Sequence, residues 1–246
     1  MQLLSPTLLI VATDSRDTFL LTNKTLKDIS QNKEKPMELQ LFNKPYFCIS
    51  RITLDPPLIH KQTRKGLPLT IFTQGCDFNC TYCPTPHLIP ECSHTIIPIE
   101  RIFQILNSSK LISRLYIVGG EPTLQPCLLE FCQCAKSVSP QIEISLVTLG
   151  TRPEVITNLI QHKCIDKCIL SIKAPLIAER YKIITRTEVD ISKIQHTITT
   201  LEQSRIPTDY VITQTPLHTT EDIELIKVQF PKIEIVPYAD LLLRNY

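Results

Sequence analysis

The sequence has no tryptophan, two methionines and five glycines in 246 residues. Glycine is the residue that tolerates left-handed backbone and close approach, so where these few fall is informative. No segment approaches the ~20 apolar residues that span a bilayer. The opening stretch, MQLLSPTLLIVATD, has no basic start, an apolar run broken by Pro6 and no small-residue cleavage site, so it does not read as an export signal. Formal net charge is +2. That near balance gives no footprint for a nucleic acid or a membrane surface. There is no internal repeat and no low-complexity tract.

Two residue types are plentiful: 19 prolines and ten cysteines. Without an export signal, the expected location is the reducing cytoplasm. There, clustered cysteines bind metal or do redox work more often than they form disulfides.

Residues 1–45 stand apart as an N-terminal extension, read as a small strand–helix unit. Residues 46–246 read as one domain with a regular rhythm. Short apolar runs recur at 67–73, 114–119, 142–148, 167–173, 208–214 and 232–238, each the length of a buried strand. Segments with helical spacing lie between them, at about 98–110, 126–138, 152–163, 189–204 and 219–229. Pro98, Pro126 and Pro153 sit where a first helical turn begins, which proline tolerates. Strands alternating with helices imply an α/β fold with a parallel sheet. A doubly wound sheet and a partial β/α barrel fit this rhythm equally well. In both, ligands bind at the carboxyl ends of the strands. Cys76 and the pair Gly119-Gly120 fall just past two such ends.

The stretch TQGCDFNCTYCPTP places Cys76, Cys80 and Cys83 at C-x3-C-x2-C. Closely spaced thiols suit a soft metal centre. The missing fourth ligand reads in two ways. His87 would complete a Cys3His zinc site. Alternatively, three thiolates would hold a [4Fe–4S] cluster, which ordinarily takes four, and leave one iron open.

These residues carry a resemblance. GCDFNCTYC resembles the signature of radical SAM enzymes, which use such a cluster to cleave S-adenosylmethionine (SAM) reductively to methionine and a 5′-deoxyadenosyl radical. GGEPTLQP, from Gly119 to Pro126, is similar to the family's Gly-Gly-Glu-Pro motif. Within the family, LSIKAPLIAERYKIITRTEVDISKI and TPLHTTEDI resemble glycyl-radical-enzyme activating enzymes, in the branch of anaerobic ribonucleoside-triphosphate reductase activating proteins. The resemblance covers about residues 46–236 and implies a partial (β/α)6 TIM-like barrel. It implies Cys76, Cys80 and Cys83 as cluster ligands and Tyr82 against the adenine of SAM. It also implies Gly119, Gly120 and Glu121 at the SAM amino group, and Lys173 and His218 at its carboxylate. A glycyl radical enzyme would be the partner, and a ferredoxin or flavodoxin the reductant. A deazapurine precursor is the small-molecule alternative, and a non-catalytic iron–sulfur protein the alternative outside enzymes.

Three departures stand out. Ser171 occupies the position of an aspartate associated with the SAM amino group. Leu149 replaces the asparagine of a Thr-Asn-Gly motif. Pro84-Thr85-Pro86 follows the third cysteine in place of His-Asn-Pro. Of the remaining cysteines, Cys127, Cys132 and Cys134 lie on a helix that does not bring all three to one face. Cys164 and Cys168 straddle a strand boundary. These are expected to act as small buried hydrophobes, and Cys48 and Cys92 have no assigned role.

Overall fold

The computed structural model describes residues 8–12, 18–22, 47–54, 57, 66–90 and 97–238. The first two stretches are strands β1 (Leu8–Ala12) and β2 (Thr18–Thr22), paired antiparallel as a hairpin. The helix expected in the extension lies outside the described residues, as does Cys92.

A seven-stranded sheet follows. Its strands are β3 (Ile49–Thr53), β4 (Leu67–Thr73), β5 (Ile112–Gly119), β6 (Glu143–Thr148), β7 (Lys167–Ile172), β8 (Thr208–Gln214) and β9 (Glu234–Pro237). They lie in chain order across the sheet. β3 is antiparallel to β4, and every later neighbour is parallel. The helices are α1 (Ile99–Ser108), α2 (Leu128–Val138), α3 (Pro153–Gln161), α4 (Ala178–Thr185), α5 (Ile191–Ser204) and α6 (Thr220–Gln229).

Strand order decides between the two architectures the rhythm allows. A doubly wound sheet reverses direction at a switch point. Here the order never reverses, so right-handed crossovers return the helices to one face. The result is a partial barrel of six parallel strands, open at its edge, with β3 as an added antiparallel strand.

The two faces of the sheet show this directly, because side chains alternate along a strand. Ile71, Leu115, Ile117, Leu146, Leu170 and Ile212 pack into one large core with residues from α1, α2, α3, α5 and α6. The opposite, concave face carries Phe72, Tyr116, Val118, Ile169, Val211 and Val236, joined by Leu88 of a short 3-10 turn and, among the described residues, by no α-helix. Cys132, Cys164 and Cys168 belong to the large core and are fully buried, which is the hydrophobe role expected of them; Cys127 and Cys134, expected to behave likewise, are only partly buried because they face outward from the end and the side of α2. α4 is the exception among the helices. Its Tyr181 and Ile184 pack at the rim against Phe78 and Tyr82 of the cysteine loop.

No helix among the described residues is long and apolar enough to cross a membrane.

Candidate active site at the carboxyl rim

The cysteine loop leaves β4 at Thr73 and is fastened on several sides. The amides of Gly75 and Cys76 donate to the carbonyls of Leu88 and Ile89, at 2.7 and 3.1 Å, and that of Asn79 to Thr185 at the end of α4, at 3.0 Å. Phe78 is buried between Cys76 and Cys80 and meets Tyr181 edge-on, with ring centroids 6.4 Å apart. Asp77 faces the loop after β6. It accepts from Thr151 Oγ1 at 2.6 Å and from both terminal nitrogens of Arg152, with Nη2–Oδ1 at 2.8 Å. Although burial pushes the Asp77 carboxyl up, these hydrogen bonds hold it below the usual carboxylate range. A bidentate guanidinium–carboxylate pair fixes direction as well as distance. It locks the residue next to Cys76 to the loop after β6, across β5 in the sheet order.

Cys76, Cys80 and Cys83 all line one cavity, together with Tyr82, Gly119, Gly120, Thr148, Leu149, Ser171 and Lys173. Burial pushes the Cys76 thiol up to about 12, while the charge of Lys173 pulls the other way. Burial also raises Cys80, again opposed by Lys173. Such thiols ionise when a metal supplies the positive charge. No three His, Cys, Asp or Glu side chains among the described residues converge as a site for a single ion, and His87 does not line the cavity that the three cysteines share. The three cysteines do line one cavity, and thiolates are the ligands that an iron–sulfur cluster takes. The residues therefore fit a [4Fe–4S] cluster. Tyr82 adds to the fit, since its hydroxyl is buried beside the Cys80 thiol without a hydrogen bond of ordinary geometry.

The glycine pair lines the cavity, but protein backbone accounts for the glycines. At Gly119, with φ +132, a Cβ would lie 2.2 Å from the Thr73 carbonyl oxygen; at Gly120 it would lie 2.0 Å from that of Gly75. Any side chain would force β5 away from the cysteine loop.

Glu121 is held within the protein. It is fully buried and absent from the cavity wall. Its Oε1 accepts from the Thr123 amide at 3.0 Å, the Thr123 hydroxyl at 2.5 Å and the Thr148 hydroxyl at 2.7 Å; its Oε2 accepts from the Leu149 amide at 2.5 Å. Burial raises its pKa against the pull of these donors. In this structure Glu121 staples the turn after β5 to the end of β6.

Ser171 and Lys173 do reach the cavity. They share the concave face with Ile169 because strand residues two apart point the same way. Lys173 Nζ donates to Ser171 Oγ at 2.9 Å. His218 does not line the cavity. Its Nδ1 accepts from the Thr215 amide at 3.0 Å, which leaves the proton on Nε2, and Nε2 donates to the Lys173 carbonyl at 2.8 Å. Both ring nitrogens are thus occupied within the protein.

Sequence reasoning missed Asp77, Thr148, Arg152 and Tyr181. A charged residue adjacent to a buried cysteine needs a partner, and that was the one signal pointing to Asp77 and Arg152.

A sequence model of the Radical SAM superfamily matches residues 70–228. The chain belongs to that superfamily. Over 135 residues it is 32% identical to a Methanocaldococcus jannaschii protein provisionally named a glycyl-radical enzyme activating enzyme, covering 54% of each chain. Over 117 residues it is 26% identical to the GTP 3′,8-cyclase of Pseudomonas fluorescens, covering 47% of this chain and 35% of that one. Streptococcus suis SuiB bound to S-adenosylmethionine superposes with a TM-score of 0.52 at 17% identity, over 66% of this chain and 38% of that one. At that identity the likeness is one of fold. The chain spans about half or less of the length of the curated relatives it matches.

Proposed function

We propose that this protein is a radical SAM enzyme that abstracts a hydrogen atom from a backbone glycine of a partner protein. The observation that carries the reading is the donor set: three thiols and one lysine ammonium around a single cavity at the carboxyl rim. When bound at Cys76, Cys80 and Cys83, a [4Fe–4S] cluster supplies the electron that splits SAM into methionine and a 5′-deoxyadenosyl radical. The chain's own residues bind, orient and exclude water. Tyr82 packs against the adenine. Gly119 and Gly120 keep the turn after β5 tight against the cysteine loop, so that both border one cavity. Lys173 takes up the carboxylate in a charge-assisted contact. Ser171, being uncharged, steadies Lys173 without neutralising it.

The wall of the cavity bears on the substrate. Lys173 is its one charged side chain among the described residues; the rest of the wall includes Phe72, Val118, Val147, Leu149 and Thr213. An uncharged wall suits a neutral peptide segment. A nucleoside triphosphate needs several cations, and the single one here is engaged by SAM. The likeness to GTP 3′,8-cyclases favours the second reading, a nucleotide substrate. One experiment separates them. The reduced, cluster-loaded protein is given SAM and either a glycyl radical enzyme or GTP. The expected outcome is a glycyl-radical paramagnetic signal with one 5′-deoxyadenosine formed per radical. GTP-dependent SAM consumption with no signal on the protein partner would replace the peptide reading with the nucleotide one.

A further inference from the structure

We infer that Asp77 and Arg152 form a charge-neutral clamp, a pair of positioning residues that holds the Cys76 end of the cysteine loop ready for the cluster; this rests on the reading of Cys76, Cys80 and Cys83 as cluster ligands.

The cysteine loop has no ladder to stiffen it. Between β4 and the 3-10 turn at Pro86–Leu88 the chain forms neither helix nor strand. Fixing such backbone costs conformational entropy at every residue, so contacts to firmer parts of the protein must offset it. The amides of Gly75 and Cys76 bond to Leu88 and Ile89, at the loop's own far end. Past Cys76, two polar attachments tie the loop to other elements. One is the Asn79 amide on the Thr185 carbonyl. The other is the Asp77 carboxylate on the loop after β6. Its Oδ2 accepts from Thr151 Oγ1 at 2.6 Å and from Arg152 Nη1, and its Oδ1 accepts from Arg152 Nη2 at 2.8 Å.

The loop after β6 is a fixed base for that attachment. Gly150 has φ +76, and a Cβ there would lie 2.7 Å from Leu170 Cδ1. Its carbonyl accepts from the buried Thr197 hydroxyl of α5 at 2.8 Å, and its amide donates to Thr148 Oγ1 at 3.1 Å. Arg152 is the residue just before α3, whose first residue, Pro153, is buried. A two-pronged guanidinium on such a base sets the direction of the Asp77 side chain, and with it the backbone that carries Cys76.

Charge is the second half of the inference. Asp77 follows Cys76 directly, and a cluster held there must accept an electron. An unpaired anion beside it opposes the added charge, and an unpaired cation favours it. The pair brings neither. It supplies geometry without a net charge, which a lone carboxylate or a lone guanidinium at the same place does not.

The test compares Asp77→Asn, Arg152→Gln, the double variant and Arg152→Lys, each reconstituted anaerobically with iron and sulfide. Two quantities are read without SAM: the rate of iron release to a chelator, and the midpoint potential of the cluster from a redox titration followed by paramagnetic resonance. Arg152→Gln is expected to release iron roughly 3- to 10-fold faster than the parent, the range for a two-pronged pair that is partly screened by water. Asp77→Asn also speeds release, and the double variant is no worse than the worse single one, because one clamp is not lost twice. The potential rises in Asp77→Asn, falls in Arg152→Gln and returns close to the parent's in the double variant. Arg152→Lys keeps the charge without the fork, so it holds the potential and still releases iron faster. Release at the parent's rate in both single variants overturns the clamp. Potentials that move the same way in both, or in neither, overturn its charge-neutral role and leave the pair as ordinary loop support. A parent protein that takes up no iron removes the reading of the three cysteines instead, a failure distinct from either.

Discussion

Cys80→Ala is expected to give a folded protein that cannot hold a four-iron cluster. Cys80 is partly exposed, on a loop. The loop is held by Asp77, Phe78 and the amide of Asn79, and none of these contacts uses the Cys80 thiol. Truncating it removes little packing. It removes a third of the thiolate set, and two thiolates do not retain a cluster that ordinarily needs four ligands. The checks are iron and sulfide content after anaerobic reconstitution, the charge-transfer absorbance, and a thermal unfolding curve matching the parent's. Cys132→Ala is the contrast. That thiol is fully buried in the large core, remote from the rim. Its loss is expected to lower the melting temperature, by the cost of a small cavity, and to leave iron content intact. A Cys80→Ala protein with normal iron and absorbance would remove Cys80 from the ligand set.

The second large effect is expected at Glu121. Removing its side chain in Glu121→Ala leaves the amides of Thr123 and Leu149 buried without acceptors, and two threonine hydroxyls must find new ones. Each orphaned buried amide costs about 1–3 kcal/mol. The expected loss is about 3–5 kcal/mol, or a fall in melting temperature on the order of 10 °C for a chain of this size. Glu121→Gln keeps one carbonyl oxygen for the donors but turns an NH2 group toward the Leu149 amide or the threonines, so an intermediate loss is expected. SAM affinity in both variants falls because the turn beside Gly120 loosens. A Glu121→Ala protein with the parent's melting temperature and abolished SAM binding would show that the carboxylate serves the ligand directly.

Much of the fold is legible in the sequence because the strands are short apolar runs with clear ends. The runs at 67–73 and 208–214 coincide with β4 and β8 to the residue. Helix α4 is not legible. Tyr181 and Ile184 face the cysteine loop while Ile183 is half exposed, so its apolar residues form no stripe. β3 is missed because Ile49–Thr53 is five residues long and carries Arg51 among its apolar ones. Strand order, which separates the partial barrel from the doubly wound sheet, depends on pairings distant in the chain and leaves no local trace. The site divides in the same way. Cys76, Cys80, Cys83 and the glycine pair are visible as spacing. The hydrogen bonds that hold Glu121 and His218 within the protein are not visible, because a carboxylate or an imidazole looks the same in sequence whatever partner it meets.

The most direct test of the central reading is a single anaerobic assay. The protein is reconstituted with iron and sulfide, reduced with dithionite or a flavodoxin system, and given SAM, and 5′-deoxyadenosine is quantified alongside methionine. The account expects about four irons per chain and the two products in equal amounts. A stable cluster that yields neither product with either reductant would contradict it and mark the cavity as an iron–sulfur site without SAM cleavage.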